Sequence, residues 1–500
     1  MHDELLPNIH LQLTSILGDV HYFMPEIYLS ALFVVVLVTD LLFGRNSEKL
    51  CRIVACAGIV LVMVNDIAQL LIIKDQLRFL FSGMLLQNHT SLIFRIIIDS
   101  TAFLLLLYFA WDGPLRSHPK RLSDLYSITI AAVLGLHLMT MAANLLSAYL
   151  SIEMVSIASY LMVAYRSENA FSTEAGLKYV LFGAASSAIM LYGISLLYGF
   201  TGTLGLFNAN FIGGLLQVHA AGISFALVLV LVGIGFKLSF VPLHFWVPDV
   251  YQGAPTPIMA FLSTVPKIAA FGLLVNFLTP FISSPQWKAF DFGLYLSVIG
   301  IITMIAGNFA AVMQNNAKRM LAYSSIGHTG FALMAVVTFT SQGITALTFY
   351  LAVYAIAITG ALMLVTYFAR ITGSEDVNSY KGLGFKYPAA SVCFIVILIS
   401  LTGLPITAGF TGKVLVFSAV YSVYQQDHNT WLLALTITGA VATVVSLFYY
   451  IKIPLNLFLK RAENTIEPIP GSKFIICLSV IIALLLVLLG IFPDCLARFL

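Results

Sequence analysis

Charge is what this sequence has least of. Only 9% of its 500 residues are Asp, Glu, Lys or Arg, against roughly 25% in soluble globular chains. A protein surface cannot be wetted at that density, so soluble enzymes, nucleic-acid binders and disordered proteins are excluded. The net charge of +3 points to no acidic partner. Cysteine is scarce too. Cys51, Cys56, Cys393, Cys477 and Cys495 show no C-x-x-C pair and no Cys/His metal spacing, which excludes a disulfide scaffold and haem or iron–sulfur ligation. No dinucleotide fingerprint occurs, so no cofactor and no metal are expected on this chain. The first twenty residues hold Asp3 and Glu4, no Lys or Arg and no apolar core, and do not read as a cleavable signal. What is abundant is apolar: 60% of residues are hydrophobic and the mean hydropathy is +0.97. The chain must face lipid.

A membrane barrel would show short alternating segments. Here the apolar runs are continuous and about 20 residues long, enough to cross a bilayer as helix. About fourteen spans are expected, near 24–44, 52–73, 92–111, 125–142, 144–165, 174–200, 221–246, 255–280, 291–313, 319–340, 342–369, 388–424, 429–456 and 473–492. The loops between them are too short to fold alone. Basic residues support this count. Alternate loops, starting after span 1, hold Arg45, Lys49, Arg52; Arg116, Lys120, Arg121; Arg166; Lys318, Arg319; Arg370, Lys381, Lys386; and Lys452, Lys460, Arg461, Lys473. The opposite face holds Lys74, Arg78, Lys288 and Arg498. The bias places the first set inside and both termini outside.

Five basic residues fall within the spans. Arg95 lies near a span end and reads as snorkelling. Lys178, Lys237, Lys267 and Lys413 lie deeper, in spans 6, 7, 8 and 12, and Glu153 lies in span 5. Each such charge costs about 2.5–3.5 kcal/mol to insert, and four lysines cannot all be neutralised by one glutamate. Burial lowers a lysine's proton affinity and a nearby carboxylate restores it, so a proton or ion relay is expected rather than helix–helix glue. Polar neighbours follow the lysines. Tyr149, Glu153, Ser156 and Tyr160 share one face of span 5. His244 follows Lys237 by seven residues, Ser324 and His328 are i, i+4 in span 10, and Tyr350 and Tyr354 are i, i+4 in span 11. His137 has no such context and reads as packing.

Two spans carry breaks. Span 7 has Gly233, Gly235 and then Pro242; span 12 has Gly403-Leu404-Pro405 and Gly409 before Lys413. Breaks inside a membrane line hydrated cavities and mark transporter ion sites. The second stretch imitates a phosphate loop, but Thr407 and Val414 stand where Gly and Ser/Thr are needed. Ala148–Glu153 recurs as Ala322–Gly327 at an offset of 174, and Lys237 and Lys413 are 176 apart. Five spans separate each pair, so the second copy is inverted. The expected fold is an all-α integral membrane protein with two inverted five-helix repeats containing broken helices. The expected organisation is residues 1–124 (spans 1–3), 125–280 (first repeat, spans 4–8), 281–456 (second repeat, spans 9–13) and 457–500 (span 14).

Longer motifs carry a resemblance. They are Glu174–Tyr179, Phe236-Lys237 through Val241-Pro242-Leu243-His244-Phe245-Trp246 to Pro257, Pro266-Lys267, and Lys318-Arg319 through Gly327-His328. In these the chain resembles the N-type antiporter-like membrane subunits of respiratory complex I, the proton-pumping NADH:quinone oxidoreductase, over essentially its whole length and most strongly over 148–330. The family commonly has a second proline where Ile406 follows Pro405. The chain ends a few residues past span 14, without the lateral helix of L-type subunits, and has Lys413 where M-type subunits tend to have Glu. The resemblance implies that Glu153 modulates Lys237, that Lys178 sits between them, and that Lys267 connects to the second half. It implies that Lys413 exchanges with the outer side and that His244 and His328 belong to a hydrated axis. It implies other complex I membrane subunits as partners, with NADH, FMN, Fe–S clusters and quinone in the partner subunits. The expected location is the bacterial inner membrane, with mitochondrial inner or thylakoid membranes as the alternative. Mrp-type Na⁺/H⁺ antiporter subunits and membrane-bound hydrogenases share the core. A self-contained solute transporter is the reading from a different class.

Overall fold

A computed structural model describes residues 5–44, 47–73, 76–117, 121–461 and 472–499. Arg45, Lys74 and Lys120, and likewise Asp3 and Glu4, lie outside the described residues. Hydrocarbon offers no partner to backbone N–H and C=O, so helix dominates. Spans 1–6 are Met24–Phe43, Ser47–Ile73, His89–Phe109, Ser123–Met141, Leu145–Val163 and Ala170–Thr201. Span 7 is Ala220–Leu238 followed by Trp246–Gly253, and span 8 is Thr256–Ser263 followed by Val265–Ile282. Spans 9–11 are Phe292–Val312, Ala317–Val336 and Ser341–Thr372. Span 12 is Pro388–Thr402 followed by Ala408–Asp427; spans 13 and 14 are Thr430–Tyr450 and Lys473–Ile491.

Among the described residues, 12 helices are long and apolar enough to cross a membrane. The other two expected spans are present with visible reasons for falling short. Span 10 opens on Lys318 and Arg319 and carries Ser324, Ser325, His328 and Thr329. Span 12 is split into helices of 15 and 20 residues. An additional helix, Leu5–Val20, precedes span 1, where no apolar run suggested one.

Side-chain caps fix many of the span starts. Asn88 and Asn144 form capping boxes with Ser91 and Ser147, and Asn169, Asn316 and Asn429 cap spans 6, 10 and 13. Each satisfies amides that the helix cannot and contributes about 1 kcal/mol. The loop after span 2 holds a short hairpin, Arg78–Leu80 against Leu85–Gln87, with Phe79 opposite Leu86. It is tied to the span 4–5 junction by the Leu85–Ala142 bridge.

Burial orders the bundle. In spans 8 and 11, 94% of the membrane window is buried, against 22% for spans 1 and 2. Spans 8 and 11 are therefore central, and spans 1 and 2 are peripheral. Helix association in lipid relies on close packing at small residues. Spans 9 and 10 meet in this way: a Cβ at Gly307 would lie 2.4 Å from the amide nitrogen of Gly327.

Candidate functional site

The breaks place the lysines. Span 7 stops at Leu238 because Ser239 takes a left-handed conformation at φ 62°. Lys237 is thus in the last turn of its helix, 4% exposed. Its ammonium has no protein hydrogen-bond partner and faces rings, with Phe236, Tyr179 and Tyr160 centroids at 5.6, 5.8 and 5.9 Å. These aromatic faces offer the cation a modest attraction. Glu153 comes from span 5. Its Oε1 is buried and, like the Tyr160 hydroxyl, has no hydrogen-bond partner in the protein.

Span 8 is also broken, at Thr264 (φ −117°, ψ −87°), two residues before Pro266. Lys267 follows in the first turn of the second half, 2% exposed. It donates to the Ser325 carbonyl and hydroxyl at 3.0 and 2.7 Å and to Thr329 Oγ1 at 3.1 Å. Thr329 also donates to the Leu238 carbonyl at 3.0 Å, so span 10 joins Lys267 to the residue beside Lys237.

Beyond Lys267 the polar groups continue. Tyr354 donates to Ser325 Oγ at 2.8 Å. His328 stands beside it, with ring centroids 4.8 Å apart. His328 Nδ1 lies 2.6 Å from the Tyr350 hydroxyl and Nε2 3.1 Å from that of Tyr450. One small cavity of about 10 Å³, room for about one water, contains Lys267, Ser325, His328, Tyr350 and Tyr354 in its lining. A second of the same size contains His328, Tyr350, Tyr354, Ser400, Gly409 and Lys413. His328 and the two tyrosines are the wall the cavities share. Lys413, 4% exposed, donates to the Thr402 carbonyl at 2.8 Å and lies 4.5 Å from the Phe331 ring centroid. Thr402 is the last residue before the span 12 break, where Gly403 at φ 82° leaves carbonyls free. The partners of Lys267 and Lys413 are neutral, so burial of each charge is offset by hydrogen bonds rather than by a counter-ion.

One expected position differs. Lys178 is not between Glu153 and Lys237. Its side chain is 37% exposed and pairs with Glu174 and Asp249, each at 2.8 Å. Span 6 is 32 residues long, which puts Lys178 only two turns from its start at Ala170. The head can therefore reach a wetted surface. There it lines an open vestibule of about 460 Å³ with Asp249, Lys318, Arg166, Asp112 and Glu375. Arg319 donates to Asp249 at 2.9 Å and Lys318 to the Ala254 carbonyl at 2.7 Å. Burial pushes the Asp112 carboxyl up to about 6, against the hydrogen bond it accepts from the Leu115 amide. His244 is half-buried in the connection between the two pieces of span 7, with its ring 4.7 Å from that of Phe245. Its Nδ1 has no partner in the protein.

Ser325, Thr329 and Tyr450 are site residues that the sequence reading did not name. Ser325 and Thr329 are i, i+4, one residue on from Ser324 and His328, so the signal was present in span 10. Arg95 and His137 also need correction. Arg95 does not snorkel and His137 is not bland packing: both are 0% exposed and bonded to the buried acids Glu26, Asp66 and Asp99. Those acids come from three different spans, and nothing in the sequence shows that the fold gathers them around Arg95 and His137.

Residues 142–446 match the family described as NADH:quinone oxidoreductase/Mrp antiporter, transmembrane. The chain is 38% identical over 450 residues to NADH-quinone oxidoreductase subunit N 2 of Chloroherpeton thalassium, covering 89% of this chain and 86% of that one. It is 35% identical over 474 residues to subunit N of Chlorobium chlorochromatii, covering 92% and 89%. Among solved structures it superposes on a chain of respiratory complex I from Thermus thermophilus with a TM-score of 0.76 at 29% identity, covering 95% and 98%. The fold recurs in a chain of the Mrp complex from Dietzia, TM-score 0.79 at 18% identity, covering 95% of each. The chain therefore belongs to the NADH:quinone oxidoreductase/Mrp antiporter family of multi-pass membrane proteins, with NADH-quinone oxidoreductase N subunits among its relatives.

Proposed function

We propose that this chain is the proton-translocating membrane subunit of an NADH:quinone oxidoreductase, working beside other membrane subunits. Redox chemistry with NADH, FMN, Fe–S clusters and quinone belongs to the partners, and this chain moves the proton. The observation that carries the reading is the run of neutral hydrogen-bonding groups between two buried lysines: Lys267, Ser325, Tyr354, His328, Tyr350 and Lys413. A lysine bonded only to neutral groups can release its proton without breaking an ion pair, and His328 can relay it.

In this reading Glu153 sets the charge on Lys237, Lys267 links the two halves, and Lys413 exchanges with the outer side. His244 extends the polar axis beyond Lys237. Lys178 serves at the mouth of the vestibule with Asp249 and Arg319. Residues 125–280 and 281–456 are the two half-channels, flanked by 1–124 and 457–500. The membrane is the bacterial plasma membrane, with the basic loops inside and both termini outside.

The test is NADH-driven proton uptake in inside-out vesicles. Lys237→Ala assembles with its partners and loses pumping on the order of 10²-fold, the scale of a lost proton-transfer group. A normal gradient alongside normal quinone reduction in that variant would reject the relay.

A further inference from the structure

The N-terminal bundle holds a second group of buried ionisable side chains that the lysine axis does not use. Glu26 comes from span 1, Asp66 from span 2, Arg95 and Asp99 from span 3, and His137 from span 4. All five are 0% exposed. Arg95 is committed to Asp66, meeting both of its carboxylate oxygens, and lies 3.3 Å from Glu26 Oε1. His137 is clasped between two acids, with Nδ1 3.2 Å from Glu26 Oε1 and Nε2 3.0 Å from Asp99 Oδ1.

These contacts call for a proton. A neutral imidazole has one donor and one acceptor, and an ionised carboxylate only accepts. Both ring contacts are hydrogen bonds only if His137 is the imidazolium or one carboxyl is protonated. Charge leads the same way. Three carboxylates against Arg95 leave a net −2, and an imidazolium still leaves −1, in a place with no exposure. Two oxygens, Glu26 Oε2 and Asp99 Oδ2, are buried with no hydrogen-bond partner in the protein, so there is room for a second proton. Oxygen and nitrogen atoms of Asp66, Asp99 and His137 lie close enough together to suggest a metal. Both ring nitrogens are already engaged, however, and the guanidinium stands beside them, so the proton is the better ligand.

The other helices packed on the His137 helix carry Lys267, which is bonded to Ser325 and Thr329, and Glu153. Val265–Ile282 contributes the Asn276 amide, which donates to the Thr140 and Ala142 carbonyls at 2.9 and 3.4 Å. Glu153 is the one ionisable carboxylate of Leu145–Val163. Beside the Asp66–Arg95 pair, polar side chains lead outward. Gln69, one turn after Asp66, accepts from Gln87 Nε2 at 2.6 Å and donates to Asn65 Oδ1 and the Tyr22 carbonyl at 3.2 and 3.3 Å. Gln87 pairs with Arg78 in the hairpin, and Arg78 lies over the Tyr22 ring at 4.1 Å.

We propose that Glu26, His137 and Asp99 form a second proton-binding site, exchanging through Gln69 and Gln87 with the hairpin face of the membrane, while Asp66–Arg95 is a fixed ion pair beside it. Only the pumping readout below rests on the function proposed above.

The test uses the whole assembled complex carrying Glu26→Gln, Asp99→Asn or His137→Gln. The amides copy the shape of a protonated carboxyl. Infrared difference spectra between acid and alkaline pH read the carboxyl directly, and vesicle pumping is measured across the same range. The parent should show a protonated-carboxyl band that fades as pH rises. Glu26→Gln or Asp99→Asn should abolish it, His137→Gln should shift its midpoint, and pumping in each should depend less on pH. Lys237→Ala should keep the band, so a failure of the lysine relay and a failure of this site are told apart. Identical titrations in the parent and every variant that assembles would overturn the proposal. So would failure of all three to assemble, because the cluster would then be a structural lock.

Discussion

At the scale of single residues, the three deep lysines sit in different surroundings, and this predicts different responses to substitution. Lys413 rests its ammonium on the Thr402 carbonyl inside a cavity. Lys413→Ala should lower pumping on the order of 10²-fold. Lys413→Arg should not restore it, because arginine stays protonated at any accessible pH and cannot cycle a proton. Proton-gradient formation at matched NADH oxidation decides this; full pumping by Lys413→Arg would mean that charge alone suffices. Glu153→Gln should perturb the same assay more than Glu168→Gln. In the proposed relay Glu153 acts on Lys237 inside the bundle, whereas Glu168 is a 46% exposed loop residue near Arg166. Equal, small effects would leave Glu153 as packing. The lysines were legible in the sequence because a cation in an apolar run is conspicuous. Lys178 was misplaced because sequence spacing does not show that span 6 begins at Ala170 and lets the side chain reach water. Ser325 and Thr329 were overlooked because hydroxyl residues in membrane helices commonly bond their own backbone.

At the scale of elements, the breaks are where the backbone supplies chemistry. Span 12 turns at Gly403 and restarts at Ala408, and the turn leaves the Thr402 carbonyl for Lys413. Gly409 holds the two halves together: a Cβ there would stand 1.7 Å from the Ser400 carbonyl oxygen. Gly409→Ala should therefore push the halves apart, with an overpacking cost of about 1–3 kcal/mol, and move Lys413 off its carbonyl. Gly222→Ala is the control, since the nearest atom to its Cβ would be 3.8 Å away. Thermal stability of the purified complex and pumping should both fall for Gly409→Ala and hold for Gly222→Ala; equal stability in the two would contradict the tight contact. The span 7 and span 12 breaks were legible because Gly and Pro interrupt an apolar run. The span 8 break at Thr264 was not, although Pro266 was its signal. A proline near a helix start is ordinary, and only the φ and ψ of Thr264 show a second helix beginning inside the membrane.

At the scale of the molecule, the charges sort onto two faces. Arg166, Lys178, Lys318 and Arg319 gather around the vestibule on one face, and the Arg78–Gln87 hairpin lies on the other. A bundle that moves protons between two compartments needs such a difference, and the positive-inside bias gives it a direction. The proposed orientation, with basic loops inside, would place the vestibule on the side from which protons are taken. This can be tested without measuring pumping. Ser167 lies in the exposed loop before span 6, and Asn210 is exposed beyond its far end. Cys477 and Cys495 are not covered by the rest of the chain, so both are first replaced by serine. A charged, membrane-impermeant maleimide should then label Ser167→Cys only in inside-out vesicles and Asn210→Cys only in right-side-out vesicles. Detergent should expose both equally, which checks that neither cysteine is shielded by a partner subunit. The opposite labelling would reverse the molecule in the membrane. The vestibule would then face the compartment where protons are released, and Lys413, rather than Lys178, would stand nearer the point of entry.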